Sequence, residues 1–457
     1  MVKLIGMLNR FNPVRVLVIG DFMLDTYTTG KVKRVSPEAP VSILHVQKEE
    51  SLAGGAGNVA LNLVALGAKV FVIGRVGQDI AGDELKECLE REGVFSDGLM
   101  YQKGFKTPVK NRLIADFQQV LRVDFETISP LPEALEDEIL QIIPSFLDKV
   151  QIVAISDYAK GFLTTTLLKS IIEQAKARDI PVIVDPKGDD FTKYNGATII
   201  KPNLSEAFAA ARLVPPDSLE KVAKNIFASC EIDSLLVTKS EAGISLFHRG
   251  GVSQDFPVRS KEVKDVTGAG DTVLATITLA LANSLDVKYA AQLANIAAGI
   301  AIERIGCARV DLSDLAERLL EFDVENKIFD EEHLYALQQV LKGKRFIVLG
   351  LDSKTGMTIE IFRSLRKLAG KDQEKKLIVY VKDDEPSEDF ILMLSSFSEV
   401  DFIVLKCESL RSLCDVIHPH QIYAMEEDGK LSRLEHATAL LSRMRDAPVV
   451  PPLRTFF

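Results

Sequence analysis

Residues 265–272, DVTGAGDT, restrict this chain more than any other stretch, because they set two glycines, an alanine and two carboxylates at the start of an apolar helix. Gly268, Ala269 and Gly270 let the backbone come close to an anion. The helix expected from Val273, Leu274, Ile277, Leu279 and Leu281 turns its free N–H groups toward that anion. Asp271 then lies at the mouth of an anion site. A carboxylate repels a phosphate, so its use there is as a base that takes the proton of a hydroxyl attacking a phosphoryl group. The plainer alternative is a glycine-rich turn in which Asp271 caps the helix.

A second glycine cluster, AGGAGNVALNLVALG at residues 53–67, also runs into an amphipathic helix; a strand at 69–73 and then Gly74, Arg75, Val76, Gly77, Gln78 and Asp79 follow it. Ahead of it, the run 14–19 reads as a buried strand that delivers Asp21 to a crevice at its C-terminal end, with Asp25 close behind. Segments 41–46 and 110–126 alternate apolar and polar residues, as strands open to solvent on one face do. With 457 residues, 47% of them hydrophobic, the chain has material for two globular domains. Its net charge of −10 argues against a nucleic-acid or anionic-membrane surface, so phosphate recognition falls to local cations and backbone amides. Cys88, Cys230, Cys307, Cys407 and Cys414 are scattered and lack metal spacing, which reads as free thiols in a reducing compartment. No apolar run approaches the roughly 18 residues of a membrane helix, and only a short apolar patch precedes Arg10, so a cytoplasmic protein is expected.

Together the two glycine signatures resemble those of the ribokinase-like (pfkB) sugar kinases, which transfer the γ-phosphoryl group of ATP to a sugar hydroxyl. The resemblance implies an α/β fold: a ribokinase-like doubly wound sheet with a small β lid, followed by a smaller nucleotidyltransferase-like doubly wound α/β domain. It also implies that Asp271 is the base, that Gly268, Ala269 and Gly270 form the anion hole, and that segments 41–46 and 110–126 belong to the lid. GDFMLD (20–25), RVSPEAPV (34–41), SDYAKG (156–161), DPKGDDFTKYNGAT (185–198) and KPNLSEA (201–207) narrow the likeness. Over residues 10–322 the chain is similar to the kinase half of the bifunctional heptose enzymes of lipopolysaccharide synthesis. Those phosphorylate D-glycero-D-manno-heptose 7-phosphate at its anomeric hydroxyl.

On that likeness Asp21 and Asn58 fix sugar hydroxyls, while Gly54 and Gly55 let backbone approach. For the 7-phosphate the candidate cations are Arg112, Lys160 and Lys187, which spacing leaves unranked. A solvated loop lysine is the plain alternative for Lys160, and a helix cap for Asn58. Asn203 and Glu206 form the NxxE pair that in this superfamily organises water, Mg²⁺ and the phosphates, so Glu206 is the metal candidate, acting through water. Thr238, Lys239 and Gly243 stand where the triphosphate is held, and Asn295 lies on a helix beneath the adenine site, among alanines that read as core. Where family members carry a cation followed by Gly-Thr, this chain has Arg304, Ile305, Gly306 and Cys307. ATP and Mg²⁺ follow as cofactors, with a monovalent cation left open, and a homodimer through the lid is expected. A kinase for another phosphorylated sugar and a non-catalytic scaffold are the alternatives; the intact Asp271 and anion hole weigh against the scaffold.

The domain reading is 1–322 for the kinase, 323–330 for a charged linker and 331–457 for the second domain. There helices at 331–342, 358–369, 387–397 and 409–417 alternate with strands at 345–351, 376–381 and 401–405, which implies a parallel sheet. Order and position resemble the nucleotidyltransferase half of the same bifunctional enzymes, which depends on His-x-Gly-His after its first strand. The matching stretch ends in Lys354, Thr355, Gly356 and Met357, and the later basic stretch is replaced by acidic residues 424–429. A degenerate transferase without adenylyltransferase activity is therefore expected. His418 and His420 lack a third ligand at suitable spacing, so no metal is assigned to them.

Overall fold

The computed structural model describes residues 4–8, 11–116, 118–251, 253–258, 263–304, 306–321, 327–354, 356–369, 375–383, 386–405, 407–426 and 429–434. The chain divides into two compact units, residues 11–315 and residues 316–457 together with 1–10.

The first unit is built on a nine-stranded sheet in the order Gln254–Phe256, Ile244–His248, Ser234–Thr238, Ile199–Ile200, Val182–Asp185, Ile152–Ser156, Arg15–Gly20, Lys69–Gly77, Phe95–Gln102. From Ser234–Thr238 onward the strands run parallel, and the first two close one edge antiparallel. Val16, Leu17, Val18, Ile19, Val153 and Ile155 are wholly buried, as expected of strands covered on both faces. Leu17, Ile19, Val153 and Ile155 share a core with Ile139, Ile143 and Phe146 of the helix Glu133–Leu147 and with Leu167, Leu168 and Ile171 of Thr165–Lys176. Helices Ala56–Ala65 and Ala269–Ala282 pack on each other and on the same central strands. The strand order reverses at Arg15–Gly20, whose neighbours are Lys69–Gly77 and Ile152–Ser156. Such a reversal opens a crevice beyond the C-terminal strand ends, and here Asp21 and Asp157 lie beside it.

A four-stranded sheet in the order Ser42–Gly55, Phe22–Val35, Val109–Ala115, Gln118–Phe125 forms the lid. Both segments expected for it take part, although Phe117 lies outside the described residues. The strand Phe22–Val35 is not in the sequence reading, because Asp25, Thr26 and Thr28 break the apolar pattern while being buried in the fold.

The second unit carries a six-stranded sheet in the order Ile328–Phe329, Phe402–Val404, Lys375–Val381, Arg345–Leu351, Gln421–Met425, Leu431–Leu434, parallel except for the last strand. Helices Leu334–Leu341, Ile359–Ala369, Glu388–Ser396 and Leu410–Ile417 interleave with it. Ile347, Leu349, Leu365, Val379, Leu394 and Ile403 form its core. Ile328 and Phe329, read as linker in the sequence, make the edge strand, paired to Ile403 and Val404. Residue 322, the linker residues 323–326 and the C-terminal stretch 435–457 lie outside the described residues. Among the described residues no helix is long and apolar enough to cross a membrane.

Candidate active site

Asp271 sits in the first turn of Ala269–Ala282 and is 4% exposed. Gly268 precedes that helix at φ 77°, and a Cβ there would come within 2.8 Å of the Asn58 Nδ2, so only glycine leaves room for that amide. Asn58 Nδ2 donates to Asp271 Oδ2 at 2.7 Å, and the Tyr158 hydroxyl donates to Asp271 Oδ1 at 2.9 Å. Asn62 Nδ2 donates to the Asn58 side-chain oxygen at 3.2 Å and so sets the Asn58 amide with its donor toward Asp271. The N-cap of helix Ala56–Ala65 is Gly55, so Asn58 is not the cap but a support for the carboxylate. Burial pushes Asp271 up to about 7, Asp185 adds to the rise, and Asn58, Tyr158 and Lys201 oppose it. A carboxyl poised there is matched to a base working near neutrality. Of the expected anion hole, the Ala269 amide is turned onto the Val266 carbonyl at 3.3 Å. The amides that follow it lie in the first helical turn, where N–H groups face out of the helix end.

Asp21 stands at the end of the central strand and accepts the amides of Tyr158 at 2.9 Å and Lys160 at 3.1 Å on Oδ2. Burial raises its pKa, against the pull of those amides. Gly54 and Gly55 fit this corner: a Cβ on Gly54 would meet Asp25 Oδ2 at 2.3 Å, and one on Gly55 the Asp21 carbonyl at 2.6 Å. The three candidate cations separate. Arg112 is buried and paired to Asp25 at 2.6 Å, and Lys160 is paired to Glu126 at 2.6 Å. Lys187 instead pairs with Glu206 at 2.7 Å.

Lys110, absent from the sequence reading, lies 5.2 Å from the Tyr158 ring centroid. Burial, with Lys160 and Arg122 nearby, lowers its pKa in spite of Asp25. Its signal was the alternation in KNRLIADFQQVLRVDFE, which puts Lys110 and Arg112 on one face of the strand. Tyr158 and Lys201 were also unassigned, though both lie within quoted motifs. Lys201 is 2% exposed and bonded to Asp185 at 2.9 Å, and its Nζ lies 3.6 Å from where a Gly270 Cβ would be. Arg75 is 2% exposed and donates to the carbonyls of Ser129 at 2.5 Å, Lys160 at 2.8 Å and Pro130 at 3.3 Å.

The residues read as nucleotide-side candidates all have partners of their own. Asn203 and Glu206 form a capping box on the helix Leu204–Ala210, with Asn203 Oδ1 accepting the Glu206 amide at 2.9 Å and Glu206 Oε2 accepting the Asn203 amide at 3.0 Å. Thr238 bridges to Asn203, Lys239 pairs with Asp255 at 2.5 Å, and the Lys239 amide donates to the Gly243 carbonyl at 2.7 Å. Asn295 Nδ2 donates to the Pro257 carbonyl at 2.9 Å. Arg304 turns onto Asp314, and the Gly306 amide donates to Asp265 at 2.9 Å, so that loop is tied to the start of the glycine motif; Ile305 lies outside the described residues.

In the second unit, Lys354 reaches Asp383 at 3.9 Å with its side chain 82% exposed, and Met357 packs on the core. Thr355, Glu427 and Asp428 lie outside the described residues. His418 and His420 are exposed, and no group of three or more His, Cys, Asp or Glu suited to a metal occurs among the described residues.

Residues 14–314 match the model of the pfkB family carbohydrate kinases. The bifunctional protein HldE of Syntrophotalea carbinolica is 35% identical over 446 residues, covering 90% of this chain and 88% of that protein. HldE of Campylobacter jejuni is 43% identical over 325 residues, covering 71% of this chain and 68% of its own. Among solved structures, Arabidopsis thaliana ribokinase complexed with ribose and ATP aligns with a TM-score of 0.55 at 20% identity, over 67% of this chain and 99% of that one. Escherichia coli phosphofructokinase-2 in complex with potassium aligns at 0.57 and 20%, again over 67% and 99%. With the family model matched over most of the first unit and relatives of this identity and coverage, this chain belongs to the pfkB carbohydrate kinases, among their HldE-like members.

Proposed function

We propose that the first unit transfers the γ-phosphoryl group of ATP to the anomeric hydroxyl of D-glycero-D-manno-heptose 7-phosphate. The observation that carries this reading is the Asp271 carboxylate, held between Asn58 and Tyr158 at a helix N-terminus and raised to about 7. In the reaction Asp271 takes the proton of the attacking hydroxyl, and amides of the first helical turn meet the charge on the transferring group. Asp21 orients the sugar through the carboxylate oxygen that Tyr158 and Lys160 leave unused. Lys110, with Lys160 close enough to lower its pKa and Arg112 on the same face of its strand, supports a phosphorylated rather than a neutral sugar. Lys187, by its bond to Glu206, belongs with the nucleotide side.

ATP falls to Asn203, Glu206, Thr238, Lys239, Gly243 and Asn295. Both Glu206 oxygens already accept hydrogen bonds, which fits a hold on Mg²⁺ through water. Bound there, the ion neutralises phosphate charge. Exposed valines Val35, Val41, Val46 and Val120 on the lid support a homodimer through that sheet. The second unit is read as inactive in adenylyl transfer, since Lys354 and Met357 stand where the family carries two histidines and Met357 packs against the core. The test is ADP formation by the full chain across heptose 7-phosphate, heptose, fructose 6-phosphate and ribose. Preference for heptose 7-phosphate is expected; equal turnover of the sugars with and without phosphate would overturn the substrate reading.

A further inference from the structure

Tyr158 touches both carboxylates of the site with different atoms: its amide donates to Asp21 Oδ2 at 2.9 Å and its hydroxyl to Asp271 Oδ1 at 2.9 Å. It follows the strand Ile152–Ser156 on the loop whose Lys160 carbonyl Arg75 holds, so the backbone end is fixed. Burial keeps its phenol far above the ordinary value, and Asp271 and Asp185 push the same way, so the hydroxyl stays protonated and acts as a donor. Charged and titratable groups around Asp271 are Asp185 and Lys201 at the strand ends and Cys307 beyond the helix Val287–Ala301; the uncharged Asn58 faces it from the helix Ala56–Ala65. Among the described residues, the Asn58 amide and the Tyr158 hydroxyl are the two groups that donate to the carboxylate.

We propose that Tyr158 is a positioning residue for the base. Its amide fixes the sugar-orienting Asp21, and its hydroxyl fixes Asp271 at a set distance from it, leaving the second lone pair of each Asp271 oxygen for the incoming proton. This rests on the reading of Asp271 as the base. Because the hydroxyl donates to the ionised form, it also works against burial to keep Asp271 ionisable near neutrality.

Tyr158→Phe isolates the hydroxyl, since the amide bond to Asp21 survives. The expected result is a fall in kcat of about 10-fold with KM for heptose 7-phosphate within about 3-fold, and an acid limb of the pH profile moved up by roughly one pH unit. A side chain that only filled space would not move that limb. The same midpoint is read without substrate from the carboxyl ¹³C titration of Asp271 in the full chain, its signal assigned by its absence in Asp271→Asn. An unmoved midpoint in Tyr158→Phe overturns the proposal. Should that variant not fold, 3-fluorotyrosine incorporation keeps the packing and strengthens the donor, and the midpoint must then fall; no fall overturns the proposal. If the wild type turns over no sugar, the reading of Asp271 as the base fails, while the titration still decides whether Tyr158 holds and tunes Asp271.

Discussion

Replacing Asp271 by Asn is expected to trade turnover for stability. Burial lifts the carboxyl from 3.8 to about 7 in the folded protein. The folded state therefore binds this proton more tightly than the unfolded chain does. Stability linked to that proton is fully present below about pH 4 and lost as pH rises through about 7. A shift of about 3 units at about 1.36 kcal/mol each makes the ionised side chain costly by roughly 4 kcal/mol above pH 7. Asn removes the charge and can keep its oxygen toward the Asn58 amide, while its own amide faces the Tyr158 hydroxyl, which must turn to accept. Turning strands one phenolic proton and costs about 1–2 kcal/mol, which leaves a net gain of roughly 2–3 kcal/mol. For a unit of this size that is a rise in Tm on the order of 5 °C. Calorimetry of the full-length variant and wild type at pH 8 and pH 5 reads it: a gain at pH 8 that shrinks toward pH 5. ADP formation should fall about 10²- to 10⁴-fold. A gain independent of pH, or a loss of stability at pH 8, would refute the placement of a costly ionised carboxylate here. Turnover within a few-fold of wild type would refute its role as the base.

The remaining expectations concern three other places. Lys110→Ala should raise KM for heptose 7-phosphate by about 10-fold or more while barely changing that for unphosphorylated heptose, because a charge-assisted contact contributes roughly 1.5–3 kcal/mol; steady-state kinetics on both sugars checks it. Arg75→Met should lower stability by about 3 kcal/mol, since three part-buried carbonyls lose a charged donor, measured as a fall in Tm of the full chain. Full-length protein given ATP and heptose 1-phosphate should release no pyrophosphate above background, and release abolished by Lys354→Ala would show a working transferase.

Much of the first unit was legible because its signals are local. The run 14–19 is a strand since Val16, Leu17, Val18 and Ile19 must be apolar between two helical layers, and DVTGAGDT announces its turn by glycine. Asp271 could be read as a candidate base because a carboxylate at the mouth of an anion site, where it repels phosphate, needs an explanation. What sequence could not give was partnership across distance. Nothing near Asn58 says that its amide would be bonded to a residue 213 positions away, or that Tyr158 would reach the same carboxylate from a third element. The separation of Lys187 from Arg112 and Lys160 is of the same kind, set by where Glu206 lies. The strand Phe22–Val35 was not legible because its buried positions mix Phe22, Met23 and Leu24 with Asp25, Thr26 and Thr28, polar residues satisfied by neighbours such as Arg112 on Asp25. In the second unit, the hairpin Gln421–Met425 and Leu431–Leu434 hid behind an acidic turn whose composition reads as loop.

The lid is joined to the sheet in a way that bears on how the sugar is sensed. Its strand Phe22–Val35 begins one residue after Asp21, and its strand Ser42–Gly55 runs without a break into the helix carrying Asn58. A third attachment runs through residues 103–108 into Val109–Ala115, and a fourth, between Gln118–Phe125 and the helix Glu133–Leu147, is gripped by Arg75 at Ser129 and Pro130, the same guanidinium that holds the Lys160 carbonyl. Three of these four joins therefore adjoin, or are tied to, the residues proposed to orient the sugar and support the base. If sugar binding shifts the lid angle, a substitution at the far edge of the lid that biases that angle must change sugar binding by the same free energy with which sugar biases the lid.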